Sequence, residues 1–255
     1  MRMLLPDLRD DLTDLDLDGA YAWPGWPAPA PWLRANMVST VDGAAAGREG
    51  LSKSIGSPAD RRVFGRLRGL ADVVLAGAGT VREEDYKPAR PKPDFAERRA
   101  AAGQAPVPPL AIVSRSMRLD LDSPRFTDTA ARPLVITCES SDTALRDAAA
   151  EVADVIVAGG HDVDLRDAVA QLHARGLVRI HAEGGPSLLA DLAAHDLLDE
   201  LLLTVSPFLA GGSYLGEDDV PRILEGASLP DSPRPMRLAH LLEDDGSLFL
   251  RYVRP

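Results

Sequence analysis

The sequence predicts a mixed α/β fold, with a mostly parallel central sheet flanked by helices and an antiparallel hairpin at its C-terminal end. Three observations predict it. Short apolar runs alternate with amphipathic stretches between residues 32 and 198, the pattern of a parallel sheet wrapped by helices. Two of those runs end in glycine turns that open helices, "LAGAGT" (75–80) and "HAEGGPS" (181–187). After residue 200 the character changes. "ELLLTVSPF" alternates apolar residues, and "MRLAHLLEDDGSLFLRYV" reads as two strands around Asp244, Asp245 and Gly246, a hairpin signal.

The elements follow in order. Residues 1–31 are acidic and then Pro/Trp-rich: "YAWPGWPAPAPW" (21–32) carries four prolines and all three tryptophans. Such a stretch is extended and not helical, so 1–31 reads as an arm and 32–255 as a single domain. A strand is expected over 32–39. A helix is expected over 57–71, with Ser57 as N-cap, Pro58 at the first helical position and Asp60 completing a capping-box pattern. A strand over 72–76 leads into the first glycine turn, and 83–108 reads as a long charged, Pro-rich loop. Strands are expected over 109–114, 133–137, 153–159 and 177–183, with helices over 140–150, 163–176 and 187–198. Gly176 has the position of a C′ glycine.

Composition narrows the function classes. The 255 residues carry 45% hydrophobic and 26% charged residues, ordinary for a globular protein. A formal net charge of −11 argues against a duplex nucleic-acid binder, which needs a basic face. An anionic cofactor is still compatible, provided its site is locally positive. No apolar run reaches the roughly 18 residues of a membrane span, and the Leu/Asp alternation of the first residues lacks a signal-peptide h-region. Cys138 is the single cysteine, which leaves no disulfide framework or cysteine-rich zinc site and points to a cytoplasmic setting. The five histidines have no metal-binding spacing, and His181 reads as a core histidine.

Three stretches carry chemistry. Gly77 and Gly79 lack the third glycine of the G-x-G-x-x-G fingerprint, so a simple Rossmann site is not expected. What stays is a tight turn whose glycines admit a phosphate and whose helix start offers N–H groups. Gly184, Gly185, Pro186 and Ser187 repeat that arrangement, with the Ser187 hydroxyl as a further donor. Two such strand-end turns suit opposite walls of one crevice for an extended anion such as a dinucleotide. The third stretch is "NMVSTVDGAAAG" (36–47). Here Asp42 is either a plain turn residue or a group that orients substrate and takes part in proton transfer.

The order "STVDG" (39–43), "RLRG" (66–69), "GAGTV" and "EGGPSLL…LLDELLLTVSPFLAGG" (183–212) resembles the pyrimidine reductases of riboflavin biosynthesis. This is the reductase half of the bifunctional deaminase–reductase, and the stand-alone actinobacterial type is the most similar. The resemblance covers about 32–253. It implies a dihydrofolate-reductase-like fold, a homodimer, and NADPH-dependent reduction of the ribosyl group of an aminopyrimidine phosphate, 5-amino-6-(5-phosphoribosylamino)uracil, to a ribityl group. Matched by motif, Val38, Ser54, Gly77, Gly79, Thr80, Glu84, and Gly184 with Gly185, Pro186, Ser187 and Leu188, fall at cofactor positions. Ser52, Arg68 and Glu183 fall at substrate positions. Arg68 then pairs the substrate phosphate, Glu183 accepts from pyrimidine N–H groups, and Ser114 and Arg115 hold the cofactor's 2′-phosphate. Asp42 is the expected catalytic residue, positioning or relaying the proton.

The chain departs from the family at two places. Ala44 stands where the family has a lysine after the Asp-Gly pair. "REEDYKPARPKP" (82–93) replaces the Asp-Asp-Pro and Thr-x-Arg that help to hold substrate, leaving Arg82, Lys87, Arg90 or Lys92 to take over. These departures keep two alternatives open: a dihydrofolate or pterin reductase, and an NADPH-binding homologue without turnover. The chain lacks the zinc deaminase signature of the bifunctional relatives, so deamination is expected to belong to another protein.

Overall fold

The computed structural model describes residues 1–24, 30–47, 49–212 and 220–255. Part of the Pro/Trp-rich stretch, residues 25–29 with Trp26, lies outside them. The chain divides into two compact units. One comprises Met1–Ala22, Leu33–Leu67 and Ala182–Pro255, and the other Trp23–Trp32 and Arg68–His181.

In the first unit, strands β1 (Arg2–Leu5), β2 (Trp32–Thr40), β8 (Glu200–Ser206), β9 (Arg237–Asp244) and β10 (Ser247–Val253) lie in the order β1-β9-β10-β8-β2. β2 and β8 are parallel, with Val38 opposite Thr204. β8, β10, β9 and β1 pair antiparallel. The expected hairpin is there: Asp245 and Gly246 take φ of 48° and 77°, the left-handed pair that a two-residue turn between twisted strands requires. β8 alternates strictly, burying Glu200, Leu202, Thr204 and Ser206 on one face.

The first 22 residues, which their composition assigned to an arm, contribute β1 and the helix α1 (Asp14–Ala20) to this unit. Thr13 and Asp16 form a reciprocal capping box at its start, satisfying donors that a helix N-terminus leaves open. Its other end is held by two arginines, one buried and one half-buried. Arg34 donates to Tyr21 O at 2.8 Å and Arg251 to Ala20 O at 2.7 Å, and both pair with the buried Glu200. Asp18 completes the docking through Arg66 of α2 (Pro58–Leu70), at 2.7 and 2.5 Å.

In the second unit the order is β7-β3-β4-β5-β6, for β3 (Val73–Gly77), β4 (Leu110–Val113), β5 (Leu134–Thr137), β6 (Asp154–Val157) and β7 (Arg179–Ala182). The pairs β3·β4, β4·β5 and β5·β6 are parallel. β5 and β7 are buried at every position, which explains the apolar run Leu134, Val135 and Ile136 of β5. Helices α6 (Thr143–Val152) and α7 (Leu165–Ala174) start at the caps Asp142 and Asp164, each accepting from first-turn amides. Two further helices, α3 (Ala78–Glu83) and α5 (Pro124–Thr127), are short.

The reading of 83–108 as a loop is corrected. It contains helix α4 (Pro93–Ala101), held by two residues one turn apart. Phe95 packs its ring where a Cβ on Gly69 would stand, 2.2 Å from that point. Arg99, 2% exposed, donates to the carbonyls of Gly69, Ala71 and Ala105. A buried i, i+4 pair fixes a helix that a Pro-rich, charged composition conceals. Helix α8 (Pro186–Ala194) begins one residue before its expected start.

Candidate active site

The first unit holds the turn after β7. Glu183 is 7% exposed. Gly184 has φ +87° and a site for a Cβ only 3.1 Å from Met37 Sδ, so a side chain there is opposed by both conformation and space. Gly185 is the N-cap of α8 and provides no side-chain bond, and Pro186 is the first helical residue. The amides of Ser187 and Leu188 fall in the first turn, where no intrahelical acceptor exists. These donors and the helix macrodipole suit an anionic ligand.

Val38 is half-buried on β2, opposite Thr204. Ser52 and Ser54 belong to a single 3-10 turn, Ser52–Ser54, where Ser54 Oγ donates to Leu51 O at 2.7 Å. Asp42 is exposed on the turn after β2. Its carboxylate accepts from Thr40 Oγ1 and from the amides of Ala210 and Gly211, the last at 2.8 Å. These bonds, led by the Thr40 hydroxyl, hold its pKa down to about 2. A carboxylate so favoured in its charged form carries no proton near neutrality. Ala44 is 3% exposed and bonded to Thr40 on both sides, amide to Oγ1 and carbonyl from the Thr40 amide. The position of the family's lysine is thus a buried corner.

Helix α2 enters this unit with its N-cap as expected: Ser57 Oγ accepts from Asp60 N at 3.0 Å. The reciprocal half of the box is absent. Burial raises the pKa of Asp60, against the Thr204 hydroxyl and the charge of Arg61.

The second unit holds the other predicted residues. Gly77 ends β3 as the N-cap of α3, while Gly79 and Thr80 lie within that helix and Glu84 caps it, its amide donating to Thr80 O. α3 has six residues, so its dipole adds little to anion binding. Gly79 is more informative. Around the site of a Cβ there, the nearest atoms are 3.9 Å and 4.0 Å away, and its φ is not positive. Neither packing nor backbone demands glycine there.

Arg68 lies in the last turn of α2 with its guanidinium carbon 4.9 Å from the centroid of the Tyr86 ring, a cation–π contact that fixes its plane. Tyr86 was missed in the sequence, inside a stretch notable for its charges. Ser114 is buried and its Oγ accepts from Met117 N. Arg115 is exposed and paired with Asp162 at 2.6 Å. Of the basic residues after the turn, Lys87 pairs with Asp85 and Arg90 with Asp128. Among the described residues Arg82 and Lys92 make no ion pair. His181 is wholly buried in β7. Among the described residues no cluster of His, Cys, Asp and Glu is arranged to hold a metal, and no helix is long and apolar enough to cross a membrane.

The profile of the family described as the RibD C-terminal domain matches residues 31–242. A 2,5-diamino-6-ribosylamino-4(3H)-pyrimidinone 5′-phosphate reductase of Archaeoglobus fulgidus is 27% identical over 198 residues, covering 78% of this chain and 88% of its own. The riboflavin biosynthesis protein RibD of Mycobacterium tuberculosis is 27% identical over 190 residues, which span 46% of its length. A solved structure of a pyrimidine reductase-like protein from Corynebacterium diphtheriae superposes with a TM-score of 0.80 and 28% identity, covering 95% of this chain and 98% of that one.

Proposed function

The chain belongs to the RibD C-terminal domain family, and from that premise we propose that it is an NADPH-dependent reductase of riboflavin biosynthesis. Its substrate is 5-amino-6-(5-phosphoribosylamino)uracil, whose ribosyl group becomes a ribityl group. One observation carries the reading: the family match over 31–242 includes every residue assigned to cofactor or substrate above.

NADPH, when bound, supplies the hydride. The residues fit such a cofactor unit by unit. In the first, the uncapped start of α8 gives amide donors at Ser187 and Leu188, and Val38 and Ser54 are contact positions. In the second, the open space at Gly79 admits a phosphate beside Gly77, Thr80 and Glu84. Ser114 and Arg115 bind the 2′-phosphate, with Arg115 exchanging Asp162 for it. For the substrate, Ser52 and Glu183 bind the pyrimidine, and Arg68, already oriented by Tyr86, pairs the phosphate. Asp42, ionised and triply bonded, positions the segment around Ala210 and does not deliver the proton. The enzyme acts in the cytoplasm as a homodimer.

The test follows NADPH oxidation by absorbance, with the ribosylaminopyrimidine phosphate and dihydrofolate side by side. Turnover of the first is expected. Turnover of dihydrofolate alone would move the chain to the pterin reductases, a reading that the ion-paired Lys87 and Arg90 favour. Arg68→Ala should raise KM for the phosphorylated substrate roughly 10- to 100-fold, the loss of a charged hydrogen bond.

A further inference from the structure

The stretch over 82–93 is rich in charge, yet Lys87 pairs with Asp85 and Arg90 with Asp128. Its one aromatic residue has a different partner. The guanidinium carbon of Arg68 stands over the Tyr86 ring, 4.9 Å from the centroid. Both sides of that contact are fixed within the second unit. After α3 the chain reverses at Asp85, with φ of 47°, and the Tyr86 amide donates to Val81 O at 3.2 Å. Arg125 donates to the same carbonyl at 2.8 Å. The Tyr86 side chain then packs against the buried cluster that includes Val81, Ile112 and Phe126.

Arg68 is held through its backbone. The end of α2 leaves carbonyls without helical partners, and the chain around α4 supplies them. Arg99 donates to Gly69 O at 2.9 Å and to Ala71 O at 2.7 Å. Gln104 donates to Leu70 O at 3.2 Å and to Ala71 O at 3.0 Å, and Trp23 Nε1 reaches Leu70 O at 2.8 Å. Phe95 fills the space beside Gly69. A guanidinium on an aromatic face keeps its N–H donors in its own plane, a fork that matches two oxygens of one phosphate. A long side chain ordered in advance loses less freedom when its ligand arrives.

We propose that Tyr86 is a positioning residue for the substrate's phosphate. It orients the Arg68 guanidinium toward a phosphate monoester, on a helix end anchored by Phe95, Arg99 and Gln104. This rests on the reductase reading above, in which Arg68 meets that phosphate. The stretch 83–108 thus contributes a ring and a set of anchors to the site, where its composition suggests a replacement charge.

The test compares KM for the ribosylaminopyrimidine phosphate with KM for the same compound lacking the phosphate, both read by NADPH oxidation. Tyr86→Leu should raise the first roughly 3- to 10-fold and leave the second, and kcat, within about twofold. The dissociation constant for NADPH should not change. Tyr86→Phe keeps the aromatic face and should restore the native KM. In an Arg68→Ala background, Tyr86→Leu should add nothing, because the two residues act as one unit. Phenylalanines with successive ring fluorines at position 86 keep the shape and weaken the negative face, so KM should climb along the series. Should Tyr86→Leu fail to fold, that series decides the matter alone. A native KM in Tyr86→Leu, an equal rise for both compounds, or a KM indifferent to fluorine overturns the assignment. A native protein that turns over neither compound, or Arg68→Ala with an unchanged KM, fails the reductase reading of the site instead.

Discussion

Acid should weaken this protein through His240, and the effect can be worked from its surroundings. His240 is 4% exposed on β9, edge-on to Tyr21 with ring centroids 4.8 Å apart and planes at 76°. Burial, with the charges of Arg251 and Arg34 behind it, lowers its pKa from 6.5 to about 3, against a backbone bond to Ala20 that raises it. Between those values the unfolded chain binds a proton that the folded one refuses. The stability that His240 contributes is therefore complete above the unfolded value and drains away as pH falls toward about 3. At about 1.4 kcal/mol per unit, two units below the unfolded pKa cost on the order of 2–3 kcal/mol. His240→Phe keeps the ring contact and removes the titration, and Ala20 O retains its bond from Arg251. Urea unfolding of both proteins at about pH 7.5 and about pH 4.5 gives the comparison. Depressed carboxyls such as Asp16 and Asp42 also lose stability in acid, but equally in both proteins, so the difference isolates His240. An identical loss in His240→Phe would refute the reasoning.

Two further outcomes are expected. Gly69→Ala drives a methyl into the Phe95 ring and should cost about 1–3 kcal/mol in urea unfolding; Phe95→Leu in the same chain should recover part of that loss. Arg115→Ala should weaken NADPH roughly tenfold and leave NADH nearly untouched. Asp162→Ala, which frees Arg115 from its partner, should strengthen NADPH, and fluorescence titration reads both.

What the sequence disclosed of the fold follows from how local each signal is. The parallel strands announce themselves because both faces of β3 and β5 are covered, leaving unbroken apolar runs. The β9·β10 hairpin was legible because Asp245 and Gly246 meet a local backbone demand. Helix α4 was not, since its two anchors bond groups distant in sequence: Phe95 needs the missing side chain of Gly69, and Arg99 needs its carbonyl. α1 was hidden for a related reason. Thr13 and Asp16 spell a capping box, yet the alternation of Leu and Asp masked the helix, whose far end depends on Arg34 and Arg251 of distant strands.

The same distinction governs the site. Gly184 could be singled out from sequence because a strand-to-helix turn selects glycine by itself, and the positive φ agrees. The two carboxyls could not be ranked that way. Asp42 and Asp60 are both aspartates beside a turn, one after a strand and one at a helix start. The capping pattern even gave Asp60 a structural task that it does not perform. Their difference lies in what folds onto them. The segment after β8 brings two amides and leaves Asp42 in water with a surplus of donors, whereas burial dominates the surroundings of Asp60 and raises its pKa. Surplus donors stabilise a charge, and burial with few donors stabilises a proton. Two aspartates that look alike in sequence are therefore told apart by what folds onto them, which the motif around Asp42 does not carry.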